Sequence, residues 1–260
     1  MTVGTVATDH SPRPGAAPIG RMLLAQTAFE TRMLLRNGEQ LLLTVVIPTV
    51  LLVLFSAVDV VAVEGPGKRV DFLAPGLLAL AVMSTAFTGQ AIATGFERRY
   101  GVLKRLGASP LPRWALLTAK TGCVLVTEAL QVALLTVIAL ALGWSPQGSL
   151  VTVVALLVLG TAAFSGLGLL MAGTLKAEAT LAAANLVFVL LLLAGGVVVP
   201  LGKFPSAVRS VLELLPISAL SDGLRSVLQA GAGVPWSDLG ILAGWSVLGL
   251  AAAARFFRWE

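Results

Sequence analysis

The chain has 260 residues, of which 57% are hydrophobic and only 12% are charged. Since a soluble domain carries about 25% charged residues, this composition excludes an ordinary water-soluble protein and predicts an all-α integral membrane protein. The net charge of +5 fits the lysines and arginines that membrane proteins place in cytoplasmic loops, so nucleic-acid binding is not expected. One cysteine and one histidine offer no disulfide and no metal-binding cluster.

The N-terminal region consists of a tail followed by an amphipathic segment. Residues 1–19 are rich in Pro, Gly, Thr and Ala without a signal-peptide apolar core, which predicts a disordered cytoplasmic tail. Residues 20–260 are predicted to form one transmembrane domain. Helical spacing of apolar residues in 21–40 predicts a helix in the cytoplasmic interface, and the alternative is a frayed extension of the first span. These apolar residues are Met22, Ala25, Phe29 and Met33.

Six apolar runs are long enough to cross a bilayer, which takes about 20 residues. Because lipid cannot hydrogen-bond to the backbone, each run is expected to form a helix. With the N-terminus inside, thirteen of the eighteen lysines and arginines fall on the cytoplasmic side, which predicts that both termini are cytoplasmic. The six predicted spans cover about residues 41–63, 72–95, 116–142, 150–173, 179–200 and 239–257.

The loop between the second and third spans combines positive charge with helical spacing. Topology explains its basic residues, but Tyr100, Leu103 and Leu106 are apolar at helical spacing among the charges. Gly107 is a good helix stop, and Pro110 prevents continuation of the helix. The loop is therefore predicted to be a short cytoplasmic helix with apolar knobs and a charged rim, built to dock on another protein.

Polar residues inside the predicted spans are few, and Glu128, near the middle of the third span, is the main one. A carboxyl group is costly in lipid, so it either belongs to a translocation path or gate, or is a protonated group that hydrogen-bonds between helices. Buried amides raise the same question and often hold helices together. The candidate path residues are Phe87, Gln90, Glu128, Gln131 and Asn185.

Small residues recur every four positions in the fourth span, in the pairs Ala162 with Gly166 and Gly168 with Ala172. This spacing lets two helices approach closely. The partner helix can belong to the same chain or to a second copy, and the sequence leaves both possibilities open.

Between the fifth and sixth spans, prolines and glycines separate two amphipathic pieces that are too short to span. They are predicted to form two short helices on or just inside the external leaflet. The two apolar faces consist of Val208, Val211, Leu212 and Leu215, and of Leu220, Leu224, Val227 and Leu228.

The sequence FERRYGVLKRLGASPLPRWALLTAK, which starts at Phe96, resembles the signature after the second helix in permeases of type 2 ATP-binding-cassette (ABC-2) transporters, of the kind found in drug or daunorubicin-resistance exporters. The matching residues are Glu97, Gly101, Leu103, Leu106, Ser109, Pro110 and Arg113. The segment before the sixth span is also similar, through Pro200, Pro205, Pro216 and Arg225. One acid followed by two arginines replaces the usual acidic pair.

The resemblance implies a six-helix permease subunit of an exporter in a bacterial cytoplasmic membrane, paired with a second copy or a paralogue. A separate ATPase subunit, which binds ATP and Mg²⁺, is expected to dock on the 96–113 loop, and this chain itself is expected to bind no cofactor. The implied docking residues are Glu97, Arg98, Arg99, Tyr100, Gly101, Leu103, Lys104, Leu106, Pro110 and Arg113. The helices around Pro205, Pro216 and Arg225 are implied to cap the external end of the path.

The motifs that the sequence lacks agree with ATP binding by a separate subunit. The chain has no G-x-x-x-x-G-K-[ST] loop for nucleotide phosphates and no cluster of catalytic side chains, so it is not expected to be an enzyme by itself. The apolar spans suit a hydrophobic or amphipathic cargo such as a drug or a lipid. Two other classes remain as alternatives: an ion-coupled secondary transporter that uses Glu128, and a membrane enzyme or assembly factor.

Overall fold

A computed structural model describes residues 17–36, 38, 45–57, 68–107, 110–197, 202 and 204–258 of the chain. These residues form helices joined by turns, and no strand occurs among them. The helices are α1 (Ile19–Leu35), α2 (Ile47–Ala57), α3 (Arg69–Arg99), α4 (Val102–Gly107), α5 (Arg113–Ala141), α6 (Leu150–Thr174), α7 (Ala177–Ala194), α8 (Ser206–Leu212), α9 (Pro216–Leu228) and α10 (Trp236–Phe256).

Within the described residues, five helices are long and apolar enough to cross a membrane, namely α3, α5, α6, α7 and α10. Each overlaps one of the last five predicted spans. The first predicted span, at about 41–63, extends beyond the described residues at both ends, and its described helix α2 has only 11 residues. Six spans therefore remain a prediction. The predicted tail at 1–19 also lies outside the described residues, except for its last three positions.

The helix α6 has its closest neighbour in α10, and glycine makes this contact possible. A Cβ atom at Gly166 would lie 2.6 Å from the backbone nitrogen of Leu250 in α10, and one at Gly168 would lie 2.8 Å from the carbonyl oxygen of Phe87 in α3. Neither position can hold a larger residue without separating the helices. The two glycines of the small-residue pairs thus serve packing within the chain.

The helix α3 is the inner helix of the bundle, and 89% of its most apolar stretch is buried by the rest of the chain. Its middle seven residues, Met83–Gly89, form a π-helical turn. Such turns interrupt the regular hydrogen-bond ladder and are frequent at functional sites. The π turn places Phe87 and the following Gln90 against the centre of the bundle, where both side chains are buried.

The described chain has two ends, which we name the α4 end and the α9 end after the short helices there. At the α4 end, the Arg258 backbone N–H that follows α10 donates to the Gly173 carbonyl, at 3.1 Å. At the α9 end, the Gln147 N–H in the α5–α6 turn donates to the Leu228 carbonyl, at 2.9 Å. The elements predicted to be cytoplasmic share one end and those predicted to be external share the other, while their orientation in a membrane remains a prediction.

Candidate docking surface and transport path

The predicted docking loop at 96–113 contains two helical pieces rather than one, namely the last turn of α3 and the short helix α4. The helix α3 ends at Arg99, and the Tyr100 and Gly101 N–H groups close it by donating to the Phe96 and Arg98 carbonyls, at 2.9 and 3.1 Å. Gly101 then takes a φ of +68°, a left-handed conformation that glycine adopts without strain. The expectation that Tyr100 shares a helix with Leu103 was therefore wrong, because Tyr100 lies in the turn and α4 begins only at Val102.

The short helix α4 turns one apolar residue inward and presents the others outward. Leu103 is only 1% exposed, so its side chain is covered by this chain and not available to another subunit without a rearrangement. Tyr100 is 65% exposed and Val102 36% exposed, and Lys104 is exposed as well. Of the further predicted docking residues, Leu106 is half-buried and Pro110 is exposed. Arg113 is the first residue of α5.

Glu97 lies at the base of this loop and takes part in an ion cluster inside the chain. Lys120 of α5 lies 2.5 Å from the Glu97 carboxylate and 3.0 Å from that of Glu30 in α1, and the Lys120 side chain is 5% exposed. The Lys120 amine is thus enclosed by two acids from different helices. The role of Glu30 was missed, although it is the one acidic residue in the sequence of α1.

The two arginines that follow Glu97 bind the α6–α7 connection. Arg98 donates from Nη1 to the Gly173 carbonyl at 2.7 Å, and from Nη2 to the Leu175 carbonyl. Arg99 forms an ion pair with Glu178 in the first turn of α7. The last turn of α3 is therefore connected to α1 and α5 on one side and to α6 and α7 on the other.

The amphipathic helix α1 packs along the first turns of α5. Thr27 donates its hydroxyl to the Ala119 carbonyl at 3.4 Å, and a Cβ atom at Gly122 would lie 3.2 Å from the Thr27 side chain. Phe29 and Met33 remain 58% and 59% exposed on the other face. This exposed apolar face is the surface that a membrane would cover, as the predicted interfacial helix requires.

Four of the five candidate path residues lie inside the chain, and one does not. Phe87, Gln90, Glu128 and Gln131 are all buried, whereas Asn185 is exposed on α7 and donates to the Leu181 carbonyl of its own helix at 3.0 Å. The buried residues belong to two neighbouring helices, α3 and α5. The structure therefore groups these four residues and separates Asn185 from them.

The three polar side chains in this group differ in how many of their hydrogen-bonding atoms have a partner. Gln131 accepts a hydrogen bond from the Thr85 hydroxyl at 2.7 Å. Thr161 of α6 donates to Oε2 of Glu128, while Oε1 of Glu128 has no partner among the described residues. Neither amide atom of Gln90 has one there either, and Gln90 lines a cavity of about 50 Å³ beside Glu97 and Lys120. That volume accommodates a few ordered water molecules at most.

The α9 end is fixed by Arg225, one of the two arginines of the predicted external segment. Arg225 is 9% exposed, and its Nη1 and Nη2 atoms donate to the carbonyls of Gly196 and Val197, each at 2.7 Å. Its guanidinium also lies 4.0 Å from the centre of the Phe72 ring. Pro216 occupies the first position of α9, where its missing N–H costs nothing.

The two predicted short helices of this segment exist, but only one of them is part of the core. The predicted apolar face of α9 is buried, with Leu220 and Leu224 fully covered. The helix α8, which Pro205 precedes, has no buried residue, and Val208 and Val211 are 46% and 64% exposed. Apolar periodicity was the same in both helices, because a lipid-facing surface and a protein-facing surface produce the same pattern.

These features define a class of protein: a multi-pass membrane protein with a basic, partly apolar surface at one end and no nucleotide-binding motif in its sequence. No cluster of metal-binding side chains occurs in the residues that the structure covers. The sequence model of the ABC-2 type transporter family matches residues 23–228, which is well over half of the chain. The chain therefore belongs to the ABC-2 type transporter family and is a permease of an ABC transporter. Among curated proteins, none matches the sequence.

Proposed function

We propose that the chain is the membrane-spanning subunit of an ATP-driven exporter of the drug-resistance kind, energised by a separate ATPase subunit that docks at the α4 end. A second copy or a paralogue completes the permease, and ATP and Mg²⁺ bind to the ATPase. The cargo is a hydrophobic or amphipathic molecule, such as a drug or a lipid, that leaves through the cytoplasmic membrane of a bacterium. The family match supports the permease role, and the geometry of the α4 end supports the docking of another subunit there.

The observation that carries the proposal is the surface around Gly101. Tyr100 and Val102 are exposed apolar residues, and Lys104 and Arg105 surround them with positive charge. Protein interfaces favour an aromatic or apolar centre with a polar rim, and aromatic residues supply much of their binding energy. A short helix of this composition suits a groove on a partner whose rim is acidic.

The contacts at the base of the loop supply a route for movement. The ion cluster of Glu30, Glu97 and Lys120 joins the last turn of α3 to α1 and α5. Arg98 and Arg99 join the same turn to the α6–α7 connection. A displacement of α4 by an ATPase would therefore act on several helices at once, because each contact is made by a side chain of the α3 terminus.

The alternative function is an ion-coupled secondary transporter that uses Glu128. The family match does not favour it. The two functions differ in their source of energy. Transport in membrane vesicles that depends on a proton gradient and continues without ATP would support the alternative, whereas transport that needs ATP and the ATPase subunit supports the proposal.

The experiment is affinity purification of the tagged chain in mild detergent, followed by identification of the bound ATPase and measurement of its activity. We expect the double variant Tyr100→Ala/Arg105→Glu to lose the ATPase while it still inserts in the membrane. The matched control is Phe29→Ala/Arg21→Glu, which removes an exposed aromatic ring and reverses a charge on α1. Equal ATPase recovery with both variants would show that the α4 end is not the docking surface.

A further inference from the structure

The helices α5 and α6 enclose a cleft in the middle of the bundle. The cleft has a volume of about 390 Å³, within the range of sites that hold small molecules. Its walls are apolar, and Leu125, Val154 and Val158 at its opening are 38%, 48% and 48% exposed. In a membrane, these exposed residues face lipid, so the cleft opens toward the bilayer rather than toward water.

Glu128 is the one ionisable residue that lines this cleft in the described part of the chain. It lies near the middle of α5, and its side chain is only 5% exposed. No lysine, arginine or histidine lines the cleft with it, so its carboxyl group has no positive partner there. A carboxyl group at membrane depth is a candidate functional group, because lipid gives it neither hydrogen bonds nor counter-charge.

The hydrogen bonds of this carboxyl group are incomplete. Oε1 has no partner among the described residues, and Oε2 can receive a bond from the Thr161 hydroxyl. That hydroxyl also lies 2.8 Å from the Leu157 carbonyl of its own helix. A hydroxyl carries a single proton, so Thr161 serves only one of these two acceptors at a time. The carboxyl group is thus short of donors by at least one.

We propose that the cleft binds a hydrophobic amine that enters from the bilayer. The amine nitrogen donates a hydrogen bond to the Glu128 carboxyl group, and its positive charge pairs with the carboxylate. The apolar body of the ligand lies against Val154, Leu157 and Val158. Since neighbouring atoms cover Oε1, the carboxyl group turns about its last torsion to meet the ligand, a rotation with broad and shallow minima.

Ligands of other chemical classes do not supply both the hydrogen bond and the positive charge that the Glu128 carboxyl group lacks. An acyl chain fills the apolar cleft without offering a donor to Oε1. An anion is repelled by the carboxylate, and Ca²⁺ or Mg²⁺ needs six or more oxygen ligands where one carboxyl group is present. An alcohol donates one hydrogen bond but brings no charge, and charge-assisted bonds are roughly twice as strong. The claim that the bound amine is cargo rests on the proposed exporter function, whereas the binding itself does not.

The test compares two photoactivatable probes, a long-chain primary amine and the alcohol with the same chain, each carrying a diazirine. The chain and its ATPase are reconstituted in nanodiscs of zwitterionic lipid, and labelled peptides are mapped by mass spectrometry. We expect the amine to label the peptides around residues 125–133 and 154–161 more strongly than the alcohol. The Glu128→Gln variant should reduce amine labelling about tenfold, to the level of the alcohol.

Two matched controls separate the site from general effects. Glu213→Gln makes the same chemical change at the exposed side chain of the residue that follows α8 and should leave labelling unchanged. Val158→Trp fills the mouth of the cleft and should abolish labelling, whereas Val151→Trp, on the same helix but outside the cleft, should not. Thermal midpoints of all variants confirm folding, and Val158→Trp keeps the test decisive should Glu128→Gln fail to fold.

Equal labelling by the two probes, or amine labelling that survives both Glu128→Gln and Val158→Trp, would overturn the proposal. Crosslinks from the cleft to a second copy of the chain would also overturn it, since the cleft would then be an interface. Stimulation of the ATPase by the chain is measured in the same nanodiscs. Loss of cleft labelling with normal stimulation refutes the amine site alone, whereas labelling without a bound ATPase refutes the proposed function alone.

Discussion

Among the described residues, each end of the bundle buries one cation, and the two ends hold it in different ways. At the α4 end, Lys120 is enclosed by the side-chain carboxylates of Glu30 and Glu97, which come from two other helices. At the α9 end, Arg225 binds the backbone carbonyls of Gly196 and Val197, with Asp222 of its own helix at 3.4 Å. The first cation is held by side chains, and the second by backbone.

The difference bears on which end of the bundle can change its contacts more easily. A backbone carbonyl shifts only when its whole segment shifts, and the planar guanidinium fixes several acceptors in a defined arrangement. Carboxylates can turn about their torsions, and a lysine amine is a point charge that accepts many geometries. We infer that the α9 end is a fixed closure and that the α4 end is a joint whose partners can be exchanged, as a docking surface for an ATPase requires.

Removal of the fixed cation should have the largest effect. The Arg225→Ala variant leaves two buried carbonyls without donors and removes the contact with the Phe72 ring, which should cost at least about 3 kcal/mol. Arg225→Lys should restore little of this stability, because one ammonium group cannot reproduce the two hydrogen bonds that the planar guanidinium donates to the Gly196 and Val197 carbonyls. Yield and thermal midpoint in size-exclusion chromatography measure this loss. The control Arg209→Ala, at an exposed pair with Glu213, should change little.

If Arg225→Lys were as stable as the unaltered chain, the α9 end would need only a charge at this position. The proposed contrast between a backbone-held and a side-chain-held cation would then be lost.

Removal of Lys120, the cation of the joint, should lower the stability of the chain about as much as removal of Arg225. Further substitutions at its two acidic partners should restore that stability. Lys120→Met leaves Glu30 and Glu97 close together without a counter-charge, a loss of about 3 kcal/mol. The triple variant Lys120→Met/Glu30→Gln/Glu97→Gln should regain most of this stability, since a buried ion cluster can often be replaced at little cost. We expect its thermal midpoint to recover while stimulation of the ATPase stays low.

The triple variant therefore separates stability from coupling. Full ATPase stimulation by this variant would show that the cluster only stabilises the fold, and that movement reaches α1 and α5 by another route.

The contrast between the ends also marks what the sequence could predict. Long apolar runs predicted the last five spans because lipid imposes both length and composition, and Pro216 and the Leu220–Leu228 face predicted α9. The partners of Lys120 and Arg225 could not be predicted, because they depend on how separate helices lie against one another. No local pattern specifies that α1 places Glu30 beside α5.

The docking loop shows the same limit at a finer scale. Helical spacing correctly predicted a short helix with apolar residues, and α4 contains Leu103 as expected. The spacing could not tell that Leu103 faces its own chain while Val102 faces outward, because inward and outward apolar faces produce the same periodicity. The break at Gly101 was also missed. A glycine in a sequence permits a left-handed conformation but does not show that the chain adopts one, and only the structure gives the φ of +68°.

A smaller effect is expected where a glycine makes room for the fixed cation. A Cβ atom at Gly76 would lie 2.8 Å from Nη2 of Arg225 and 2.9 Å from the Val197 carbonyl oxygen. Because neither neighbour can move without breaking their hydrogen bond, Gly76→Ala should destabilise the chain by about 1–3 kcal/mol. Gly244→Ala, which has no atom within 4 Å of the new Cβ, is the control and should be neutral. Equal midpoints for the two variants would indicate that Arg225 can readily change its position.

The smallest change in stability is expected at Gly101, where the joint begins. No atom lies within 4 Å of a Cβ built there, so Gly101→Ala acts through the backbone alone, and its φ of +68° should cost about 1 kcal/mol. Asn tolerates this conformation better than Ala does, so the thermal midpoint of Gly101→Asn should lie between those of the unaltered chain and Gly101→Ala. Gly101→Ala should still reduce ATPase stimulation well beyond what this stability loss explains, because relief of the strain would reorient α4 relative to α3. If stimulation instead followed thermal stability across both variants, the direction of α4 would not matter, and the α4 end would no longer differ from the α9 end in the way proposed.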